Sequence, residues 1–548
     1  MEEVIFETRN FNNSDLGQLH TIHLNNYPIV YILYNSKKPT AYIGQTVHVN
    51  RRIQDHLSNP KRKVHEKTIL IGHEKFNQSA TYNIETNLIN YFIADNHYKL
   101  QNVSQTANKK MHNYYQKEFY DKKIFHQIWE KLREEEIAQN TIEDLQNKDI
   151  YKISPYKELS EQQLEIKERV IKFCNENAKK TGQHVFIVEG DSGTGKSVLL
   201  SSLFNTLQDK ANDPSSNLYN TDNYLIVNHS EMLKTYHNIA YSLPNLKKKQ
   251  FKKPTPFINS MDKGNEKADI TLVDEAHLLL SKEDSYNNFR YNNQLDEIIK
   301  RSNITIVIFD PKQVLKIKSY WNERLLQEIT NQYNAETLKL THQFRMNAAP
   351  ETLDWIDQFA EKNLKAIPHK ESHKFELKVF NDPEQFKQKV NDKNEQYGLS
   401  RIVSTFDYVH KKDGDTYYVD PSGINMPWNI TYENKTWAEE ANTINEVGSI
   451  YTVQGFDLNY VGVILGPSVK YDEENDKLFI DTGQYEDKGA FTSRKDLSFE
   501  ENEEIKEEII LNSINVLMKR GIHGLYIYPT DPKLRRRLLQ LKGMDHDE

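Results

Sequence analysis

Eight residues near the middle of the chain, Gly190-Asp191-Ser192-Gly193-Thr194-Gly195-Lys196-Ser197, limit the fold more than any other stretch. They match the pattern G-x-x-x-x-G-K-[ST] at every fixed position. His184 to Glu189 before them reads as a buried strand, and Ser197 to Phe204 after them as a helix. Strand, glycine loop and helix in that order turn backbone N–H groups inward at a helix N-terminus, where negative charge is favoured. Lys196 would neutralise β- and γ-phosphate charge, and the Ser197 hydroxyl would ligate Mg²⁺. The middle of the chain is thereby committed to gripping a nucleoside triphosphate.

The rest of the composition sets the frame around that loop. At 548 residues and 37% apolar content, three or four domains of about 150 residues each can form cores. No apolar run approaches the roughly 18 residues of a membrane span, and the N-terminus does not resemble a secretory signal, so a cytoplasmic protein with no membrane partner is expected. The single cysteine, Cys174, excludes an intrachain disulfide and a cysteine-cluster metal site and reads as a small core residue on a helix. A formal charge of −8 argues against coating nucleic acid by bulk electrostatics. Residues 1–120, however, carry 14 Lys/Arg against 10 Asp/Glu, which points the N-terminal part toward nucleic acid.

A phosphate-gripping loop that drives hydrolysis needs a second, acidic strand end. Ile270-Thr271-Leu272-Val273-Asp274-Glu275-Ala276-His277 supplies it, with Asp274 holding Mg²⁺ through its water shell and Glu275 as general base on the attacking water. Upstream, Leu159-Ser160-Glu161-Gln162-Gln163 offers Gln163 to read an adenine edge, a solvated helix start being the other reading. Downstream, Ile304 to Asp310 is a further buried strand, and Gln313 just beyond it is placed to sense the γ-phosphate. Leu340-Thr341-His342-Gln343-Phe344-Arg345 and Val516-Leu517-Met518-Lys519-Arg520-Gly521 provide two arginine fingers, Arg345 and Arg520. Gln454 and Gly455, in Tyr451 to Asp457 ahead of the strand Val461 to Leu465, complete the nucleotide-contacting set. An arginine from a facing domain stabilises charge only when the domains close, which couples hydrolysis to motion.

This order of motifs resembles a superfamily 1 helicase, specifically the Schlafen-like bacterial group with V-D-E-A-H, F-D-x-x-Q, Q-F-R and a terminal R-G. The resemblance covers residues 150 to 548. It implies two RecA-like parallel-sheet α/β domains, ATP in the cleft between them and a nucleic-acid strand across both. Phe309-Asp310 replaces the Gly-Asp of many relatives, and Lys519-Arg520-Gly521 the commoner Thr-Arg-Ala. No wedge element for separating strands is identifiable.

The first 120 residues need a separate account. Pro28 to Tyr34 and Ala41 to Thr46 read as strands, followed by a helix carrying Arg52 and His56 on one face and by an amphipathic helix, Tyr82 to Phe92, with Glu85 near its start. Ile29-Val30-Tyr31, Tyr42-Ile43-Gly44, Arg52, His56, Glu85 and Asn102 resemble, in order, the motifs of the GIY-YIG nucleases, Ile29 standing where the family name has Gly. The resemblance implies a small α/β nuclease domain in which Glu85 anchors a metal, Mg²⁺ or Mn²⁺. Tyr31 or Tyr42 would be the base, its pKa lowered by nearby positive charge. Arg52 would clamp the scissile phosphate, and His56 would orient or share the proton transfer.

The expected organisation is a nuclease domain at 1–115, a helical connector at 116–152, and RecA-like domains at 153–335 and 336–548. Lys247-Lys248-Lys249-Gln250-Phe251-Lys252-Lys253 suits a phosphate backbone as well as a solvated loop. Glu500 to Glu508 reads as an exposed helix face, and Arg535-Arg536-Arg537 as a weaker nucleic-acid contact. Together these features point to an ATP- and Mg²⁺-dependent nuclease-helicase acting on DNA rather than RNA, in defence against foreign DNA, alone, as a homo-oligomer or with an accessory defence protein. The competing expectations are a nucleic-acid-sensing ATPase switch that does not cut, and an RNA-directed enzyme.

Overall fold

The computed structural model describes residues 3–16, 21–102, 114–191, 193–284, 288–310, 313–319, 321, 323–341, 346–368, 375–411, 413–419, 424–432, 436–453, 456–491 and 497–543. Its first sheet contains β1 (Ile5–Asn10), β2 (Ile29–Asn35), β3 (Thr40–Thr46), β4 (Lys67–Gly72) and β5 (Lys99–Leu100), in the order β1-β4-β2-β3-β5. The β1–β4, β4–β2 and β2–β3 pairs are antiparallel, whereas β5 joins β3 in parallel. All seven residues of β2 are buried, as its β-branched and aromatic composition requires of a central strand. The β2–β3 turn is set by Asn35, whose side-chain oxygen accepts from the N–H groups of Lys37 and Lys38 at 2.9 and 3.1 Å.

Two helices flank this sheet, α1 (Val49–Ser58) and α2 (Gln78–Asp95). Asn77 caps α2 by accepting from the Ala80 N–H, and Asn96 ends it in the left-handed conformation at φ 55°. From Ala80 onward α2 is mostly buried, because the sheet covers one face and the connector the other. The segment after α2 has a π-helical stretch at Tyr120–Ile124 leading into α3 (Phe125–Glu134) and forms the connector. Trp129 of α3 is fully buried, its ring centroid 5.3 Å from Tyr91 and 5.9 Å from Phe92 of α2.

The second sheet is built from β6 (His184–Gly190), β7 (Asn223–Val227), β8 (Phe251–Lys252), β9 (Ala268–Asp274), β10 (Ser302–Phe309) and β11 (Glu336–Leu340), ordered β11-β6-β10-β9-β7-β8. β10 runs parallel to both β6 and β9, and β11 parallel to β6. Since β11 pairs with β6 through Leu340, it belongs to this sheet, which moves the expected boundary at 335/336 beyond Leu340. Two helices matter here, α4 (Glu161–Asn177) and α5 (Lys196–Asn212). Cys174 lies fully buried on α4, where burial pushes its thiol pKa up to about 12.

The third sheet has the order β12-β20-β17-β13-β16, all neighbours parallel. Its strands are β12 (Glu376–Val379), β13 (Arg401–Ser404), β16 (Val447–Gly448), β17 (Leu458–Leu465) and β20 (Gly521–Pro529). Two hairpins lie outside it, β14 (Tyr418–Val419) with β15 (Met426–Pro427), and β18 (Val469–Asp472) with β19 (Lys477–Ile480). Every residue of β17 is buried, the near-continuous apolar run expected of a parallel strand covered on both faces. Helices α6 (Pro383–Tyr397) and α7 (Phe499–Met518) pack on it, α7 starting in a capping box between Ser498 and Glu501.

The chain divides into two compact units whose borders cut through the second sheet's sequence. One holds residues 1–180, 197–225 and 233–252, and the other 181–196, 226–232 and 253–548. The first therefore joins the nuclease-like segment to α5, the helix that begins at the glycine loop.

Candidate nuclease and nucleotide sites

Tyr31 stands at the middle of β2, fully buried, directly opposite Gly44 of β3. A Cβ on Gly44 would lie 2.4 Å from the Tyr31 hydroxyl oxygen, so glycine is what leaves the phenol its slot. From α1, His56 Nε2 approaches that hydroxyl to 2.7 Å, and Arg52, one turn earlier on the same face, donates its Nε–H to the phenol oxygen at 3.2 Å. Burial raises the Tyr31 pKa well above its ordinary value, and neighbouring Tyr42 adds to this; the opposing Arg52 charge is too weak to reverse it. The expected lowering of a tyrosine pKa by positive charge is thus not what happens at Tyr31, because desolvation outweighs one half-solvated guanidinium. His56 moves the other way, down to about 4, through burial first and then the charges of Arg52 and Arg62. Its imidazole is therefore neutral at neutral pH and able to accept the Tyr31 proton.

Tyr42 packs edge-on against His56 at 4.9 Å between centroids, with the Arg62 guanidinium 3.8 Å above its ring. Arg62 also donates to the Gln101 side-chain oxygen at 2.6 Å. Sequence reading passed over Arg62; its signal was its place in Lys61-Arg62-Lys63, one short loop after His56. The Asn102 amide accepts from the Ile43 N–H at 3.1 Å and donates to the Ile43 carbonyl at 2.7 Å. It fastens β3 in place. Ile29 in the first motif is fully buried with Leu24, Val49 and Ile53, so the departure from glycine serves packing.

Glu85 is 2% exposed on α2, and its charge acts on the Tyr31 phenol as the last of the effects that raise its pKa. Among the described residues no three His, Cys, Asp or Glu side chains gather as a metal cage. A single carboxylate suits a cation that keeps most of its waters and takes substrate phosphate oxygens, as Mg²⁺ does.

The glycine loop behaves as its sequence dictates. Gly193 and Gly195 take φ of 84° and 76°, left-handed values that favour glycine. Lys196, 7% exposed, donates to the carbonyls of Gly190 and Asp191 at 2.7 and 2.8 Å and to Asp310 Oδ2 at 2.8 Å. Gln313 donates to the same Asp310 oxygen. Gln313 thus reaches the lysine through Asp310, a residue to which sequence reading gave no role. Thr194 closes the turn by donating its hydroxyl to the Asp191 carbonyl at 2.9 Å. Ser197 opens the first turn of α5, and Asp274 ends β9 almost fully buried, accepting from the Glu275 N–H at 3.0 Å. An ammonium, a helix N-terminus, a hydroxyl and a carboxylate are groups whose chemistry fits a triphosphate with Mg²⁺.

Glu275 itself sits in the left-handed region, φ 50° and ψ 48°. Burial alone would push its pKa up, but His277, Lys196 and Arg520 together hold it down, so it is a carboxylate. His277 Nε2 lies 3.0 Å from Glu275 Oε2 without hydrogen-bond geometry, an electrostatic contact only. Arg520, 1% exposed after α7, donates to the Phe456 carbonyl at 3.2 Å. His229 completes the group, its ring 5.9 Å from Phe456 and its pKa lowered to about 4 by burial, with Arg520 adding to the effect and Glu275 opposing it. His229 and Phe456 were also missed; Asn228-His229-Ser230 directly after β7 was the available signal.

Three expectations meet the structure differently. Ser192, Arg345, Gln454 and Gly455 lie outside the described residues. Gln163 is the third residue of a capping box, its side-chain oxygen accepting from the Ser160 N–H at 2.9 Å, so that oxygen terminates α4. Arg535 and Arg537 are engaged within the fold, by the Tyr528 hydroxyl and by Asp476.

A family model described as Schlafen group 3, DNA/RNA helicase domain, matches residues 183–531. The chain belongs to this Schlafen group 3 helicase family. The GIY-YIG catalytic domain model matches residues 27–99, covering Tyr31 through Glu85. This Schlafen group 3 protein therefore carries a small α/β GIY-YIG catalytic domain ahead of an ATP-using, parallel-sheet helicase region, and both parts imply nucleic-acid binding. The protein YPL245W of Saccharomyces cerevisiae is 38% identical over 415 residues, 70% of this chain and 90% of the yeast chain. Among solved structures, the Pif1 helicase from Candida albicans aligns with 13% identity over 69% of this chain and 96% of its own, TM-score 0.28. C. elegans PCH-2 aligns with 13% identity over 56% and 65%, TM-score 0.21. Neither likeness is close enough to carry weight. Among the described residues no helix is long and apolar enough to cross a membrane.

Proposed function

We propose that the protein is an ATP- and Mg²⁺-dependent nuclease-helicase: the motor moves along or remodels DNA, and the N-terminal domain cuts it. The observation that carries the reading is the Tyr31–His56–Arg52 contact set on the same chain as the Lys196 cradle. In the nuclease, Arg52 holds the scissile phosphate, Tyr31 takes a proton from the attacking water while passing its own to neutral His56, and Glu85 would hold Mg²⁺ or Mn²⁺. A bound cation there supplies charge stabilisation at the phosphate and leaving oxygen.

In the motor, Lys196, Gly190 to Gly195 and Ser197 hold the triphosphate, and Ser197 and Asp274 would hold Mg²⁺. Glu275 accepts the proton of the attacking water. Arg520 and Arg345 stabilise the developing charge, and Gln313, Gln454 and Gly455 sense the nucleotide. Cutting of foreign, phage-type DNA in the cytoplasm, by a homo-oligomer or with an accessory defence protein, is the task this pairing would serve. A second reading, an RNA substrate, draws support from a family model that covers DNA and RNA helicases alike.

Linear, circular and single-stranded DNA and RNA, each incubated with the protein with and without ATP and Mg²⁺, separate these readings. ATP-stimulated DNA cutting that a Glu85→Ala variant loses is the expected result. Cutting of RNA alone selects the second reading. A protein that hydrolyses ATP yet cuts nothing is the non-cutting switch.

A further inference from the structure

Within the first unit, the edge of the nuclease sheet and the segment 237–248 enclose a cavity of about 480 Å³. Thr40, Lys99 and Gln101 line one wall, and His237, Tyr241 and Lys248 the other. The walls are fastened to each other: the Ser242 hydroxyl donates to Asn96 Oδ1 at 3.0 Å, at the cap that ends α2. Among the described residues no carboxylate lines the cavity, although the chain carries a formal charge of −8. Among the described residues neither Lys99 nor Lys248 is ion-paired. Lys99 Nζ stands 4.7 Å from the Tyr241 ring centroid, yet Tyr241 remains 58% exposed. That leaves an exposed aromatic surface in a cavity lined by two cations, the combination that binds phosphates and stacks bases at once.

The cavity also has a direction. Its wall residue Gln101 accepts the Arg62 hydrogen bond at 2.6 Å, and Arg62 lies over Tyr42, the ring packed on His56. Three consecutive residues, Lys99 to Gln101, therefore run from the cavity to the nuclease cluster. We propose that this cleft binds single-stranded nucleic acid and leads it to the Tyr31–His56–Arg52 site, an inference that rests on the nuclease-helicase reading. Bases stack on the exposed ring only when unpaired, which selects a single strand, and the charge disfavours an apolar protein face. Lys248 belongs to the basic-aromatic stretch at 247–253, which thereby acquires a role in strand guidance.

The test compares the full chain with Lys99→Glu/Lys248→Glu and Tyr241→Ala, using fluorescence anisotropy of labelled oligo-dT and oligo-rU over a salt series. The charge reversal should weaken binding at least about 10-fold and reduce the salt slope by about 1.4, two phosphate contacts at roughly 0.7 each. Tyr241→Ala should weaken it about 5-fold or more through lost stacking. The dT and rU arms show which strand the cleft prefers. Should the charge reversal fail to melt with the parent, Lys99→Gln/Lys248→Gln replaces it, with the same slope change of about 1.4 from the two lost contacts. Parent-like affinity and slope in all variants overturn the cleft while leaving the nuclease-helicase reading intact. A parent protein that binds neither oligonucleotide overturns both.

Discussion

Gly44 shows how much one missing side chain can control. A methyl group there would be driven against the Tyr31 hydroxyl, so Gly44→Ala must displace the phenol from His56 and Arg52. DNA cutting is expected to fall at least about 10-fold with a stability loss of about 1–3 kcal/mol, the usual cost of overpacking, read by a cleavage assay and a denaturant melt. His56 adds a pH dependence whose sign is fixed. The neutral ring is the proton acceptor, so cutting should hold through neutral pH and fall as pH approaches about 4, where the ring protonates. A His56→Gln variant should lose most activity together with that acid limb. The Tyr-Ile-Gly signature was readable in the sequence because it is local. The pKa direction of Tyr31 was not, because burial is decided by α1 and β4 from elsewhere in the chain.

At the scale of elements, α2 carries Glu85 near its start and Asn90 on a buried turn farther along. Asn90 accepts the Ser154 hydroxyl at 2.6 Å and donates to the Tyr156 carbonyl at 3.2 Å, all three residues being buried. Tyr156 in turn is in reach of Asn205 and Asp209 on α5, whose charge and hydrogen bond act on its phenol. The helix bearing the nuclease carboxylate and the helix that begins at the glycine loop are thus held through one short segment, Ser154-Pro155-Tyr156. Asn90→Leu should destabilise the first unit by about 1–3 kcal/mol by stranding the buried Ser154 and Tyr156 groups, measurable by thermal or urea unfolding. The role of Ser154 to Tyr156 was not legible in the sequence, because order along the chain is its only guide. The partner lay on α2, more than sixty residues back. The same limit explains Gln163, where S-x-x-Q at a helix start matched a capping box as well as a base-reading motif.

At the scale of the molecule, two machines share one chain and should be separable. Lys196→Ala removes the cation held by Gly190, Asp191 and Asp310, and ATP hydrolysis should drop at least about 100-fold. Metal-dependent nicking of a short oligonucleotide should persist in that variant, whereas cutting of long DNA should lose its ATP dependence. Unchanged cutting of every substrate would separate hydrolysis from cleavage altogether. Acid stability offers a second test of the whole. His56, His65 and His229 all have pKa values lowered to about 4 against about 6.5 unfolded, each with burial as the main cause. Their contribution is complete above pH 6.5 and is lost as pH falls from 6.5 toward 4, since the unfolded chain binds the extra protons. The melting temperature should fall steadily across that window and flatten above it.

Cys174 has a practical consequence. The sole thiol of the chain lies fully buried on α4 and stays protonated at working pH, so it should be inert to maleimides. A cysteine placed at will on the surface would be the one position that takes a dye, with no background to remove. The wild-type sequence is thus a ready template for single-molecule distance measurements, in which paired labels on the two units would follow their spacing through each round of ATP hydrolysis.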